Sequence, residues 1–373
     1  MRPFLAAAAA ALLLTAGACS GGATSSGSTG GCGRIDPPPG SLVILPAGAA
    51  SRSDQALCRI VQRATNVVVS DNSPDVAKRL VGMAPDVRVW QQRQLQYAPR
   101  VCPTCADTVV KLDDIEAQQP QWVLQDASGQ PVENGGGTLL DFGDPDYQAE
   151  WAQRMADSLA AAPWTGVVVD AENTEPWASP PIDPRTGQPM TDDNRADYLA
   201  EALALVRGAL KTQGWSLVAH NPPITDPDEG QIGSTDAVLT ATGFSGTDVA
   251  AWTALYRYLE VAVNRDVGVW ITDRPGPTQS ERLFGFASYL LVAGGPYSAY
   301  SPTTLDDPLY RVPLGKPTAD PQEVDGAYMR TYEQGAVAVN PGASPVTVDL
   351  GTFGTVALEP GRAVVATADH TYR

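Results

Sequence analysis

The sequence predicts a (β/α)8 TIM barrel followed by a small antiparallel β-domain, an α/β fold class. Three observations carry that expectation. From residue 41 onward, short apolar runs alternate with helical patterns, and eight such units spread over about 250 residues suit the size of a barrel. The runs are apolar along their whole length, as parallel strands covered on both faces should be. After about residue 325 the helical patterns stop, and short alternating strands are divided by Asn-Pro-Gly, Leu-Gly-Thr and Glu-Pro-Gly turns. An open doubly wound sheet would alternate in the same way, but eight units match the barrel better.

The elements follow in chain order. Residues 1–18 read as a signal peptide: Arg2, an apolar stretch near 4–14, then small residues before Cys19. Ala16-Gly17-Ala18-Cys19 resembles a bacterial lipobox, with Ala where Leu is usual. That resemblance implies lipidation of Cys19 and anchoring to the outer face of the cell membrane. The competing reading is plain cleavage after Ala18 and secretion. Residues 19–40 form a lipidated flexible linker rich in Gly, Ser and Thr, too polar to bury a core. The barrel domain is expected over 41–324 and the β-domain over 325–373. Barrel strands are predicted at 42–46, 66–70, 87–91, 138–142, 166–170, 216–221, 236–242 and 267–272. Helices are predicted at 53–64, 74–83, 145–161, 194–213, 248–264 and 278–293. Asp144 as N-cap with Pro145 at the first helical position marks one start clearly.

Five cysteines support export. With Cys19 set aside, Cys32, Cys58, Cys102 and Cys105 make an even number suited to two disulfides in an oxidising compartment. Cys102 and Cys105 are close enough in sequence to pair, which leaves Cys32 with Cys58. A redox or zinc CxxC is the rival, but the chain offers only His220 and His370 as further soft ligands. A formal charge of −17 disfavours phosphate backbones, so no nucleic-acid partner is expected. No GxGxxG follows the first strand and no GxSxG occurs, so neither a dinucleotide cofactor nor a serine-hydrolase triad is indicated, and no cofactor is expected.

Barrel enzymes build their sites at the C-terminal ends of the strands. Here those ends carry Gln92 and Tyr97, Asp141, then Asp170, Glu172 and Asn173, then His220 and Asn221, and finally Asp273. Asp170 and Glu172 are two residues apart and share a face if the strand geometry persists. With Asp141 nearby, two or three carboxylates would converge, one holding a proton beside an ionised partner, which is what glycosidic cleavage needs. Asp170 is expected as nucleophile or general base, Glu172 as general acid and Asp141 as a carboxylate that tunes them. Gln92, Tyr97, Asn173, Trp177, His220, Asn221, Trp270 and Asp273 are the expected substrate contacts, with Trp177 the leading sugar platform. Plainer roles compete: Asp141 as a helix cap, His220 as a core histidine, and Asp170, Glu172 and Glu175 as a calcium site.

Several ordered motifs resemble a known family. They are the 119–132 segment around Trp122, Asp126 and Gly129; Leu140-Asp141 leading to Asp144-Pro145; Gly166 to Asp170; Ser288-Tyr289-Leu290-Leu291; Leu314-Gly315 to Pro317; and Arg330 to Tyr332, with Gly335 and Val339-Asn340-Pro341. Over about residues 41–367 this order is similar to the hypothetical barrel-type glycoside hydrolases of bacteria, loosely related to endo-α-1,4-polygalactosaminidases. The resemblance implies a glycosidase-like barrel with a small C-terminal β-domain. Where that family places a second acid or an asparagine directly after the strand aspartate, this chain has Ala171-Glu172-Asn173, so the second carboxylate has moved to Glu172 or the position is lost. The expected protein is an exported glycoside hydrolase acting on a cell-envelope or extracellular polysaccharide. The alternative is a non-catalytic carbohydrate-binding surface lipoprotein.

Overall fold

A computed structural model describes residues 32, 40–71, 73–99, 109–134, 137–170, 179–220, 232–274, 276–294, 297–302 and 307–373. Cys19, Cys102, Cys105, Glu172, Asn173, Trp177 and Asn221 lie outside the described residues.

The chain opens with β1 (Leu42–Leu45), α1 (Asp54–Val61), β2 (Asn66–Val69), α2 (Pro74–Met83) and β3 (Arg88–Gln94). Both helices start on serine caps, Ser53 and Ser73, whose side chains accept from backbone amides in the first turn. An insert follows: β4 (Tyr97–Ala98), α3 (Leu112–Gln118), β5 (Glu133–Asn134) and β6 (Gly137–Leu139), whose three strands form an antiparallel sheet in the order β4-β6-β5. The alternation then resumes with α4 (Pro145–Ala160), β7 (Gly166–Asp170), α5 (Asp192–Lys211), β8 (Ser216–His220), β9 (Ala237–Thr240), α6 (Val249–Asn264), β10 (Gly268–Thr272), α7 (Gln279–Val292) and β11 (Ala299–Ser301).

The parallel strands run β1-β2-β3-β7-β8-β9-β10-β11. A parallel bridge from Ser41 to Tyr300, with the Tyr300 amide donating to Gly40 O at 2.7 Å, joins the last strand to the first. The protein is thus the expected α/β TIM barrel. One stave differs from expectation. The 138–142 run is not in the barrel: Leu139 pairs antiparallel with Tyr97, and β3 lies directly beside β7. The eighth stave is Ala299–Ser301. An apolar run of five does not reveal whether its partner is parallel or antiparallel, and a three-residue strand gives almost no pattern.

Alternate residues divide the core in two. Leu42, Val68, Trp90, Val168, Val218, Leu239, Trp270 and Ala299 fill the barrel, while Val67, Val89, Val167, Val169 and Leu217 pack outward against the helices. Trp90 and Trp270 meet edge to face with ring centroids 5.0 Å apart. Gly166 begins β7 where the neighbouring strand presses close: a Cβ there would lie 2.0 Å from Ser216 O.

Beyond the barrel, β12 (Gln322–Val324), β13 (Ala327–Tyr332), β14 (Gly335–Asn340), β17 (Arg362–Thr367) and β18 (Thr371–Tyr372) form an antiparallel sheet, and β15 (Val346–Asp349) pairs with β16 (Thr355–Leu358). Val337, Val339 and Val365 pack on the same core as Leu259, Leu283 and Leu291 of α6 and α7. Arg330, almost wholly buried, donates to Leu290 O, Leu291 O and Ala293 O at 3.3, 2.9 and 2.6 Å, where α7 ends. Carbonyls in a last helical turn lack internal partners, and this guanidinium supplies them. Cys32 and Cys58 form a disulfide, as expected.

Candidate active site at the barrel mouth

Because the staves are parallel, their C-terminal ends open on one face. The side chains that follow the core layer on the inward face are polar. Val68 is followed by Ser70, Trp90 by Gln92 and Gln94, Val168 by Asp170, and Val218 by His220. Gln94, Asp170 and His220 are direct cross-strand partners on β3, β7 and β8.

Their side chains meet. Gln94 Nε2 donates to Asp170 Oδ2 at 2.8 Å. His220 Nδ1 lies 3.4 Å from Asp170 Oδ1, in contact though not aligned as a hydrogen bond. Both side chains are mostly covered, 14% exposed for His220 and 11% for Asp170. One strand further, Ser70 Oγ donates to Gln92 Oε1 at 2.7 Å. Ser70, Gln92, Arg93 and Gln94 line a cavity of about 140 Å³. The arrangement offers a fixed carboxylate, a neighbouring imidazole and a row of hydroxyl and amide groups, the kinds of group that hold and attack a polyhydroxylated ligand.

The other expected site residues that are described make contacts of their own. Asp141 sits in the turn before α4, in a cluster on the rim. Its backbone N–H donates to Trp122 O at 2.7 Å, and its Oδ1 accepts from Gly143 N at 3.2 Å. Burial pushes its carboxyl up to about 6, the Asp144 charge adds to this, and the Gly143 amide and Arg185 oppose it. Arg185 stacks on Tyr198 with its guanidinium 3.9 Å from the ring centre, pairs with Glu201 at 3.2 Å and donates to Gly143 O. Asp183, fully buried, accepts from Tyr198 Oη at 2.9 Å. This rim cluster fastens residues 179–191, the stretch by which the chain after Asp170 returns to α5.

Tyr97 is half-buried in β4 beside Leu139. Trp270 lies inside the barrel below the polar layer, fully buried against Trp90. Asp273 follows Thr272 on the helix-facing side. Ser245 Oγ and Tyr300 Oη donate to it at 2.9 Å each, and a Cβ on Gly285 of α7 would fall 2.0 Å from its Oδ2. Burial pushes its carboxyl up, while the Ser245 and Tyr300 hydrogen bonds pull it down. Gln94 was not among the expected residues. Its signal was the polar run after Trp90, Gln-Gln-Arg-Gln, which reads as a loop but continues as strand to Gln94. Among the described residues no group of three or more His, Cys, Asp or Glu is placed to hold a metal ion, and no helix is long and apolar enough to cross a membrane.

The family model of hypothetical glycosyl hydrolase family 15 matches residues 106–336, more than half of the chain. The chain belongs to that family. As a member of family 15 it has the barrel that the ordered motifs implied. None of the curated proteins matches it. Among solved structures it is similar to the glycoside hydrolase domain of PelA from Pseudomonas aeruginosa, at 15% identity, over 72% of this chain and 96% of that one, with a TM-score of 0.45. It is also similar to an α-amylase from Geobacillus thermoleovorans, at 10% identity over 90% and 98% of the two chains with a TM-score of 0.51. A GH36 α-galactosidase, AgaA from Geobacillus stearothermophilus, gives 14% identity over 87% of this chain and 54% of that one, with a TM-score of 0.52. At such identities the likeness of the last two is one of fold.

Proposed function

We propose that this family 15 member is a glycoside hydrolase that cleaves a cell-envelope or extracellular polysaccharide at the mouth of its barrel. The observation that carries this reading is Asp170, held at the C-terminal end of β7 between Gln94 and His220 in a polar layer that opens on a cavity. Asp170 acts as nucleophile or as the base that activates water, and Glu172, two residues on, as the acid that protonates the leaving oxygen. Asp141 is a third carboxylate on the rim, whose raised pKa lets it keep a proton in mildly acidic conditions. Ser70 and Gln92 hold sugar hydroxyls, with Tyr97, Asn173, Trp177 and Asn221 as further contacts. Export as a lipoprotein anchored through Cys19 would place this site on the outer face of the membrane, and the Cys32–Cys58 disulfide suits an oxidising compartment.

The test is a panel of envelope and extracellular glycans, read by released oligosaccharides, with wild type and Asp170→Asn side by side. Cleavage by wild type that drops about 10³-fold in a folded Asp170→Asn variant is the expected result. Undiminished cleavage in that variant, or glycan binding with nothing released over a long incubation, would sink the assignment.

A further inference from the structure

We infer that Gln94 is the positioning residue of this site: its amide fixes the carboxylate of Asp170 in one orientation for attack. The inference rests on the hydrolase reading above. Gln94 Nε2 meets Asp170 Oδ2 at 2.8 Å, and the two residues are ladder partners, so their spacing is set by the sheet. The strand end is also clamped from outside. Trp151 Nε1 of α4 donates to Gln94 O at 3.1 Å, and Tyr147 Oη, from the same helix, donates to Leu95 O at 2.6 Å. Gln94 is thus gripped by β7 on one side and by α4 behind, which is how a loop-like polar sequence stays in a strand.

The two glutamines of this face divide their work. Gln92 Oε1 accepts from Ser70, just past the end of β2, whereas Gln94 turns the other way, to β7. With Oδ2 held by Gln94, Oδ1 stays on the side of His220. An amide does not titrate, so the donor in this contact is unchanged across pH. A reacting atom displaced by about 1 Å can cost about 10²-fold in rate, so orientation of this kind is read mainly in kcat.

The experiment compares wild type with Gln94→Leu and Gln94→Glu on the most readily cleaved glycan across pH. Gln94→Leu is expected to lose about 10²-fold in kcat with KM within about twofold. Gln94→Glu is expected to work at acid pH, where its protonated carboxyl donates as the amide did, and to gain a new alkaline fall where two ionised carboxylates face each other. A raised KM with kcat intact would make Gln94 a substrate contact, and wild-type kinetics in both variants at all pH would leave it no role; either overturns the inference. A second arm needs no turnover: the side-chain amide protons of Gln94, assigned by ¹⁵N NMR through their loss in Gln94→Leu, should shift and exchange faster in Asp170→Ala. If they do not respond, the contact is absent in solution and the inference fails. A wild type that cleaves nothing while they do respond overturns the hydrolase reading and leaves the contact standing.

Discussion

The imidazole of His220 faces the carboxylate of Asp170 across the β7–β8 ladder, Nδ1 to Oδ1 at 3.4 Å. Neither side chain is part of the apolar barrel core below, so replacing the histidine should alter chemistry more than folding. His220→Leu is expected to lower kcat by about 10²-fold while shifting the urea midpoint little. Steady-state kinetics and a denaturation curve on the same preparation check this. A variant that unfolds early with normal kcat would mean that the histidine is a core residue.

Asp141 supplies a pH prediction. Its folded pKa is raised to about 6, against about 3.9 for an unfolded aspartate. Between those values the folded chain keeps a proton that the unfolded chain has lost, so this group favours folding at low pH. That advantage fades as pH rises through about 6, above which a buried charge costs at most about 3 kcal/mol. Asp141→Asn, which keeps an oxygen for the Gly143 amide, should match the wild-type Tm near pH 4 and exceed it by about 4 °C at pH 7. Equal Tm differences at both pH values would contradict the assignment.

Arg330 ties the C-terminal sheet to the barrel. Arg330→Met keeps much of the bulk but leaves the carbonyls of Leu291 and Ala293 without their donor, while Leu290 O keeps the Tyr332 hydroxyl. The expected loss is about 3 kcal/mol, from unpaired buried acceptors. Urea unfolding followed by tryptophan fluorescence measures it, and an unchanged midpoint would show that water replaces the guanidinium.

Gly166 lies at the foot of the strand that carries Asp170. In Gly166→Ala the new Cβ would lie 2.0 Å from Ser216 O, which is backbone and cannot rotate away. Forcing β7 from β8 should cost about 3 kcal/mol. It should also disturb the Asp170–His220 spacing at the other end of the same two strands. Calorimetry and activity are expected to fall together. A stable Gly166→Ala with full activity would mean that the ladder yields without consequence.

Much of this fold is written in local pattern. Asp144 followed by Pro145 fixes the start of α4, and both residues do what their types suggest, with Asp144 accepting from the amides of Asp146 and Tyr147. The Val-Val-Val run before Asp170 declares a strand buried on both faces. The 138–142 run misleads because burial, which makes a sequence apolar, does not depend on strand direction. Ala299–Ser301 escapes because the seam is made by backbone bonds to Gly40 and Ser41 rather than by an apolar run. At the site, Asp170 and His220 were legible as polar residues ending apolar strands. Gln94 was not, since what keeps β3 extended to that point is the grip of Trp151 and Tyr147 from a helix more than fifty residues later. That Asp141 follows a strand of the antiparallel insert rather than a barrel stave is revealed only by three-dimensional pairing.

The joint between Ser41 and Tyr300 has a practical corollary. Gly40 adopts a left-handed backbone (φ 72°) and nests so tightly against Ser298 O that a Cβ would come within 2.5 Å. The first stave is therefore latched by residues that a designer of shortened variants would be tempted to discard as tail. Trimming past Ser41 would leave β1 and β11 as two bare edges facing each other, and bare edges recruit strands from other molecules. A shortened version for glycan assays should keep Gly40 and Ser41, or it will trade a closed seam for a sticky one.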